Sequence, residues 1–310
     1  MHEHIARALY YCQVHLLYAS MVGFAAWALT SIRGGSATTK YWIWVATSLN
    51  FILPLGAVLD KLFAVHLSWA APLGVVGDFA NTLSRGPGAA LLSAVWLLGA
   101  VSMLTRLGLR IRAGRPDAQD RAGRGAHELR PRFLAHGVPV RFGGSGQAPG
   151  VDGVLRPHIS LPEGIDQLLT EHELNAVLIH ELTHARRRDN LIRLIYEVGL
   201  CALWFHPLVW ITGSRLALYR ELSCDESVIQ SACGGDLVSA LAKLANPGRA
   251  FMLQATASSF LSHRLARLGA QPQPTWRSAS VALTIAFGAV LLWAVFGTVA
   301  HTACCFVVKA

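Results

Sequence analysis

The sequence predicts a mainly α-helical membrane protein with about four transmembrane helices and an inserted α+β domain on the cytoplasmic side. Three observations carry that expectation. Hydrophobic residues make up 53% of the 310 and charged residues only 15%, a balance typical of chains that live in lipid. Several uncharged windows approach the roughly 20 apolar residues that a helix needs to cross a bilayer core about 30 Å thick. Nine arginines (Arg106, Arg110, Arg112, Arg115, Arg121, Arg124, Arg130, Arg132 and Arg141) then face only three acids, Asp117, Asp120 and Glu128, so one short stretch holds six of the formal +9 charges. Lys and Arg collect on the cytoplasmic side of spans, so residues 106–276 are expected there.

Residues 8–31, 88–105 and 278–300 contain no Asp, Glu, Lys or Arg and are read as spans. A fourth window, Tyr41 to Leu59, is uncharged but holds Asn50 and Pro54, and after Asp60 and Lys61 an apolar run resumes to Val76. It is read as one span plus an interfacial segment, with a second full span within residues 60–80 as the alternative. Ala26-Trp27-Ala28 imitates a signal-peptidase site, yet the apolar run before it exceeds the 7 to 15 residues of a signal h-region and follows Met1-His2-Glu3-His4 rather than a basic start. The first span is therefore expected to be retained. Both termini then face outward and residues 32–40 face inward. The expected division is an N-terminal membrane region with about three spans (1–112), a basic linker (113–135), a cytoplasmic domain (136–276), and a final span with a short outward tail (277–310).

The basic run abuts a span, lacks interleaved aromatics and is rich in Gly and Pro, which favours a topological and anionic-lipid role over nucleic-acid binding. No CxxC spacing occurs among the six cysteines. Cys201, Cys224 and Cys233 are expected to pack as reduced thiols in the cytoplasmic part, whereas Cys304 and Cys305 are expected at the outward end, where the sequence leaves their redox state open.

Within the cytoplasmic part, Val138 to Phe142 and Val154-Leu155 read as short strands among Gly and Pro turns. Glu171 to Arg188 reads as a helix opened by a capping box at Thr170-Glu171-His172-Glu173, with Leu174, Val177, Leu178 and Leu182 at helical spacing. Residues 198–212 are uncharged but broken by His206-Pro207. That run is too short for an easy crossing, and a buried or membrane-surface helix is expected.

The helix contains His180-Glu181-Leu182-Thr183-His184, which places two imidazoles one turn apart on one face, where both can reach one metal ion. Zn²⁺ suits such ligands, and a catalytic site keeps a position open for water. Glu181 is placed to accept that water's proton. The competing reading is two histidines satisfied by local hydrogen bonds, but three residue types at fixed offsets on a predicted helix favour the metal. Downstream, Arg220-Glu221-Leu222-Ser223-Cys224-Asp225-Glu226 puts Glu221 and Asp225 one turn apart. One can complete the metal shell and the other can orient a ligating imidazole, unless both simply pair with Arg215 or Arg220 or face solvent.

Taken together, PHISLPEG (157–164), HELTHARRRDN (180–190), WFHPLVW (204–210) and RELSCDE (220–226) resemble the Bla/Mec-regulator (BlaR/MecR-type antirepressor) family of membrane zinc metallopeptidases. The resemblance implies a zincin, gluzincin-like metallopeptidase domain in which zinc is held by His180, His184 and Glu221, with Glu181 as general base. Asp225 is implied as a support for the ligands. Asp189 is a second candidate support, with a salt bridge to Arg186 or Arg193 as an equal alternative, and His206 is taken as structural. A zincin fold also implies an edge strand that aligns substrate by main-chain pairing, for which Val154 to Leu161 is the candidate.

About ten residues follow the last span, so no penicillin-binding sensor domain is expected after it. No Ser stands three residues before Lys40, Lys61, Lys243 or Lys309 to form the Ser-x-x-Lys pattern of such domains. The expected activity is zinc-dependent endoproteolysis of a cytoplasmic or juxtamembrane protein in signal transduction, a transcriptional repressor being the candidate that the resemblance suggests. The alternative is a non-enzymatic signalling scaffold with a structural zinc. A transporter is disfavoured, since the spans hold almost no ionisable residues beyond His15 and Asp60. Expected partners are the protein substrate, a separate sensor protein, the lipid bilayer and a second copy of the chain, with no direct nucleic-acid binding. The expected location is a bacterial inner (plasma) membrane, with the protease domain cytoplasmic.

Overall fold

The computed structural model describes residues 2–32, 34–53, 88–113, 137–143, 148–231, 233–244, 264 and 276–307. In chain order the elements are α1 (His2–Ser31), α2 (Ala37–Ile52), α3 (Ala89–Ala113), β1 (Val140–Gly143), β2 (Gly150–Asp152), β3 (His158–Pro162), α4 (Ile165–Leu168), α5 (Glu171–Arg187), α6 (Asp189–Ala202), α7 (Pro207–Gln230), α8 (Gly234–Leu244) and α9 (Trp276–Val307). Three of these are long and apolar enough to cross a membrane, at Cys12–Ser31, Ala89–Arg112 and Ser278–Gly297. They correspond to the three clear windows. The fourth window differs. α2 has 16 residues, about 24 Å of helix, and ends at Ile52 because Leu53 precedes Pro54 and is held extended at φ −102°, ψ 114°, as pre-proline sterics require. The rest of that window, residues 60–80 and the linker beyond Ala113 lie outside the described residues, as do the side chains of Cys304 and Cys305.

α2 is built into the helical core. Val14, Tyr18 and Val22 of α1, Tyr41 and Trp44 of α2, Leu216 and Leu222 of α7, and Leu283 and Phe287 of α9 form one buried cluster. Polar contacts fix its start. Ser36 caps α2 by accepting from Thr39 N at 3.0 Å, and the buried Glu226 carboxylate of α7 accepts from Thr38 N at 3.0 Å and Thr38 Oγ1 at 2.8 Å. An anion at a helix N-terminus meets unsatisfied N–H groups and the positive end of the helix dipole. Lys40 closes the end of α1, donating to Thr30 O at 2.8 Å and Ile32 O at 2.9 Å. Gly35 between them has φ +73°, and a Cβ there would meet Leu283 at 2.6 Å.

The sheet has the order β1-β3-β2. β1 runs parallel to β3, pairing Val140 with Ile159, and β2 antiparallel, pairing Val151 with Ile159. This corrects two expectations. Val154-Leu155 is a bend rather than a strand. Val154 to Leu161 does not supply an edge, because His158–Pro162 is the central strand with both of its ladders occupied; the edges of the described sheet are β1 and β2. Strand order depends on pairing between distant segments, which local alternation of side chains does not report.

α5 packs against the sheet and α8 through Ile159, Leu161, Leu174, Val177, Val228 and Leu237. Its start carries both halves of a capping box, Thr170 Oγ1 accepting from Glu173 N and Glu173 Oε2 accepting from Thr170 N at 2.8 Å. Lys243 of α8 also reaches Glu173 Oε2, at 2.7 Å. Hydrogen bonds from Lys243, Ser239 and the Thr170 backbone hold the Glu173 carboxyl at about 2. Because the folded value lies below the ordinary one near 4.3, the stabilising contribution is present above that value and is lost as pH falls toward 2. Thermal unfolding of Glu173→Gln should therefore fall less steeply with acid than that of the wild type. Parallel acid profiles would show that Glu173 does not couple α5 to α8.

Candidate active site

Helical periodicity puts His180, Glu181 and His184 on the face of α5 that meets α7. At the end of α5, Arg188 adopts the left-handed conformation (φ 54°, ψ 46°) and donates its N–H to Ala185 O and His184 O; it is also the N-cap of α6. The chain thus reverses within one residue, and Asp189 returns its carboxylate to His184, with Nδ1 and Oδ2 at 2.7 Å. α7 then brings Glu221, Cys224 and Asp225 past the two rings.

The Nε2 atoms of His180 and His184 lie 3.2 Å apart, and Glu221 Oε2 lies 3.6 Å from the first and 3.8 Å from the second. Ligand atoms around a tetrahedral zinc ion, at bonds of about 2.0 Å, stand about 3.3 Å from one another. Two nitrogens and one oxygen therefore converge at the spacing a single zinc ion would need. His180, His184 and Cys224 also present ligand atoms within 4.8 Å of one another. Cys224, however, approaches the back of the His184 ring, at 3.4 Å from Nδ1, and accepts from Arg187 Nη2 at 2.9 Å. The nitrogen it approaches already meets Asp189, so the donor set with unengaged atoms on a common centre is His180, His184 and Glu221.

The far nitrogens of both rings are backed by carboxylates, as in metal sites where such contacts fix tautomer and orientation. Asp225 Oδ1 lies 3.1 Å from His180 Nδ1, an ion-pair distance without the alignment of a hydrogen bond. Each carboxylate is itself held. Arg264 grips Asp225 with two bonds of 2.8 Å. Asp189 accepts from Arg187 Nη2 at 2.7 Å and from Tyr41 Oη at 2.7 Å, and the Arg187 guanidinium stacks 4.4 Å over the Tyr41 ring. Arg187 also donates to Ser223 Oγ and, at 3.3 Å, to Arg220 O. The partner of Asp189 is thus Arg187, not Arg186 or Arg193; Arg193 pairs with Glu197 instead. Arg220 does pair with Glu221, through Oε1 at 3.0 Å, which leaves Oε2 facing the histidines. Tyr41, Arg187 and Arg264 were not read from the sequence, because their contacts join segments that no local pattern links. His206 lies away from this cluster, with Nε2 3.1 Å from Ser20 Oγ.

The electrostatics favour a cation between the rings. Burial pulls His184 down, but Asp189, Cys224 and Glu221 outweigh it and hold the imidazole well above its ordinary value. Burial pushes Glu221 up, but the two histidines and Arg220 outweigh it and hold the carboxyl well below its usual range. A field that favours a proton on the imidazoles equally favours a metal ion between them. Glu181 is different. Only 8% exposed, it makes no hydrogen bond or ion pair to the described residues, and burial pushes its carboxyl up, as suits a group that must take up a proton.

Tyr41→Phe removes only the hydroxyl on Asp189 and should weaken metal affinity near the lower end of the roughly 10- to 100-fold range found for residues behind metal ligands. Tyr219→Phe is the control, since that hydroxyl donates to Thr30 O at 3.1 Å away from the rings. Equal metal affinities for the two variants would remove Tyr41 from the site.

The family model described as BlaR1 peptidase M56 matches residues 80–268. The chain is 29% identical over 178 residues to the regulatory protein BlaR1 of Bacillus licheniformis, a match covering 54% of this chain and 28% of that protein. It is 23% identical over 99 residues to the methicillin resistance mecR1 proteins of Staphylococcus aureus and Staphylococcus epidermidis, covering 32% of this chain and 17% of each relative. The match therefore spans well under a third of these relatives.

Proposed function

The chain belongs to the BlaR1 peptidase M56 family, and from that premise we propose that it is a membrane-embedded zinc-dependent endopeptidase. The observation that carries this is the convergence of His180 Nε2, His184 Nε2 and Glu221 Oε2 within 3.8 Å of one another, beside a buried Glu181 that makes no ion pair or hydrogen bond to the described residues. In this reading those three side chains hold zinc, and residues 136–276 form a cytoplasmic, gluzincin-like metallopeptidase domain between the spans. A bound zinc ion supplies Lewis acidity, polarising a peptide carbonyl and making water a better nucleophile near neutral pH.

The chain's own residues do the rest. Glu181 takes the proton from the attacking water and passes it to the leaving amine, which its raised affinity for a proton favours. Asp225 and Asp189 keep the two imidazoles in the tautomer that leaves Nε2 free. Arg264, Arg187 and Tyr41 keep those carboxylates in place. A β1 or β2 edge is the available position for main-chain pairing with an extended peptide. The substrate class is a cytoplasmic or juxtamembrane protein in a signalling pathway, with a transcriptional repressor as the leading candidate. A separate sensor protein and a second copy of the chain complete the proposed partners. Sequencing new protein N-termini in native membranes that carry the wild type or Glu181→Gln tests this reading. Fragments should accumulate only with the wild type, and identical fragment sets would sink it.

The proximity of Cys224 to both histidines supports a second reading, a signalling scaffold in which zinc is structural and closed by a fourth protein ligand. Zinc loss on Cys224→Ser would favour the scaffold. Retention favours the peptidase, since the thiol sits behind His184 rather than among the converging atoms.

A further inference from the structure

Residues 198–214 carry no Asp, Glu, Lys or Arg, yet the structure breaks them into the end of α6, an elbow at 203–206 and the start of α7. This hairpin leaves Val198, Phe205, Trp210 and Ile211 between 44% and 49% exposed. Its elbow touches two of the spans at their middles. Trp204 packs on Gly99, where a Cβ would come within 2.2 Å of the indole, and Trp204 Nε1 donates to Trp96 O at 3.3 Å. Trp96 Nε1 returns a bond to Ala202 O at 2.8 Å. Gly99 is the eleventh of the 24 residues in Ala89–Arg112. On the other side, His206 meets Ser20, the ninth of the 20 residues in Cys12–Ser31.

The charged groups of the same elements lie together at a different height. Arg106 and Arg110 of α3 line one cavity with Glu197, Leu200 and Trp210. Glu197 pairs with Arg193 at 2.9 Å. Gly99 and Arg106 are seven residues apart, about 10 Å of helix. The elbow therefore reaches about 10 Å past the charged layer, against a hydrocarbon half-thickness of about 15 Å.

Backbone at such depth must be satisfied internally, and several of the elbow's groups are. The N–H groups of Leu203, His206 and Val209 donate to Gly199, Leu203 and His206 carbonyls. Trp210 Nε1 donates to Trp204 O at 2.8 Å, and Pro207 has no N–H to satisfy. Among the described residues, His206 Nδ1 is the one buried ring nitrogen of the elbow left without a partner.

We propose that the second half of α6 and the first half of α7 form a re-entrant hairpin, which enters the bilayer from the side of the catalytic centre, turns inside the hydrocarbon core at Trp204 to His206, and returns. Acyl chains cover Phe205 and Ile211. A helix lying on the membrane surface would have to meet α1 and α3 at their charged ends, not at Ser20 and Gly99. The proposal rests on the spans and is independent of the proteolytic chemistry.

Nitroxide depth measurements test it. The full chain is reconstituted in nanodiscs of phosphatidylcholine and phosphatidylglycerol, with the accessible native thiols replaced by serine, and labelled at Phe205→Cys. Leu98→Cys, at a 74% exposed position in the middle of α3, and Leu155→Cys, at a 71% exposed position next to β2, give the lipid and water references. The ratio of oxygen to nickel-chelate accessibility at position 205 should match that at position 98. A ratio matching position 155, or one between the two as at headgroup level, overturns the proposal. If Phe205→Cys does not yield folded protein, Ile211→Cys carries the same expectation and the same contrary outcomes.

Discussion

Replacing Glu181 with glutamine should leave zinc bound and lower proteolysis by about 10²- to 10⁴-fold, the range a positioned general base contributes. Glutamine keeps the shape of the side chain and its 8% exposure but cannot accept a proton at neutral pH. Glu181 makes no ion pair or hydrogen bond to the described residues, so its loss should leave the helix contacts and the three converging ligand atoms in place. Zinc content by elemental analysis and fragment yield by N-terminal sequencing separate the two effects. Cleavage at the wild-type rate by purified Glu181→Gln protein would reject the assigned chemistry. Loss of zinc together with activity would instead make Glu181 part of the metal's support.

Glu221→Ala should lower zinc affinity by well over the roughly 100-fold that marks the upper limit for residues supporting a ligand, because it removes one of three donor atoms. It also leaves Arg220, whose guanidinium donates to Glu221 Oε1 at 3.0 Å and 3.1 Å, half-buried with no counter-charge from that position. Asp225→Asn is the informative companion. It touches the same histidine from behind and should cost about 10- to 100-fold, less than Glu221→Ala. Metal titration against a competing chelator gives both values. A larger loss for Asp225→Asn than for Glu221→Ala would exchange the roles of the two carboxylates.

What could be read from the sequence is what local geometry determines. The one-turn spacing of His180 and His184, the capping box at Thr170 and Glu173, and the pairing of Glu221 with Asp225 on one helix face all follow from helical periodicity, and the structure places them together. The uncharged windows at 8–31, 88–105 and 278–300 follow from composition in the same way. Long-range contacts did not announce themselves. Tyr41 and Asp189 are 148 residues apart in the chain, and Arg264 reaches Asp225 across 39. Nothing in an apolar helix marks one tyrosine as facing a carboxylate. The central place of β3 was equally hidden, since alternating side chains identify a strand but not its neighbours. α2 begins at Ala37, before the apolar run, because its start is set by Ser36 and Glu226.

The junction at Arg188 sets a rule about length. One residue ends α5 and begins α6, so the five-residue step from His184 to Asp189 is a count that packing enforces rather than a preference for particular side chains. A change of identity at position 188 is tolerable wherever the left-handed backbone is kept, and glycine keeps it most readily. An added or deleted residue is another matter. It would turn everything after it by about 100° around the helix axis, swinging Asp189 off the imidazole and Tyr41 off Asp189. In a lineage of such chains, substitutions could accumulate at this corner while insertions and deletions would be removed.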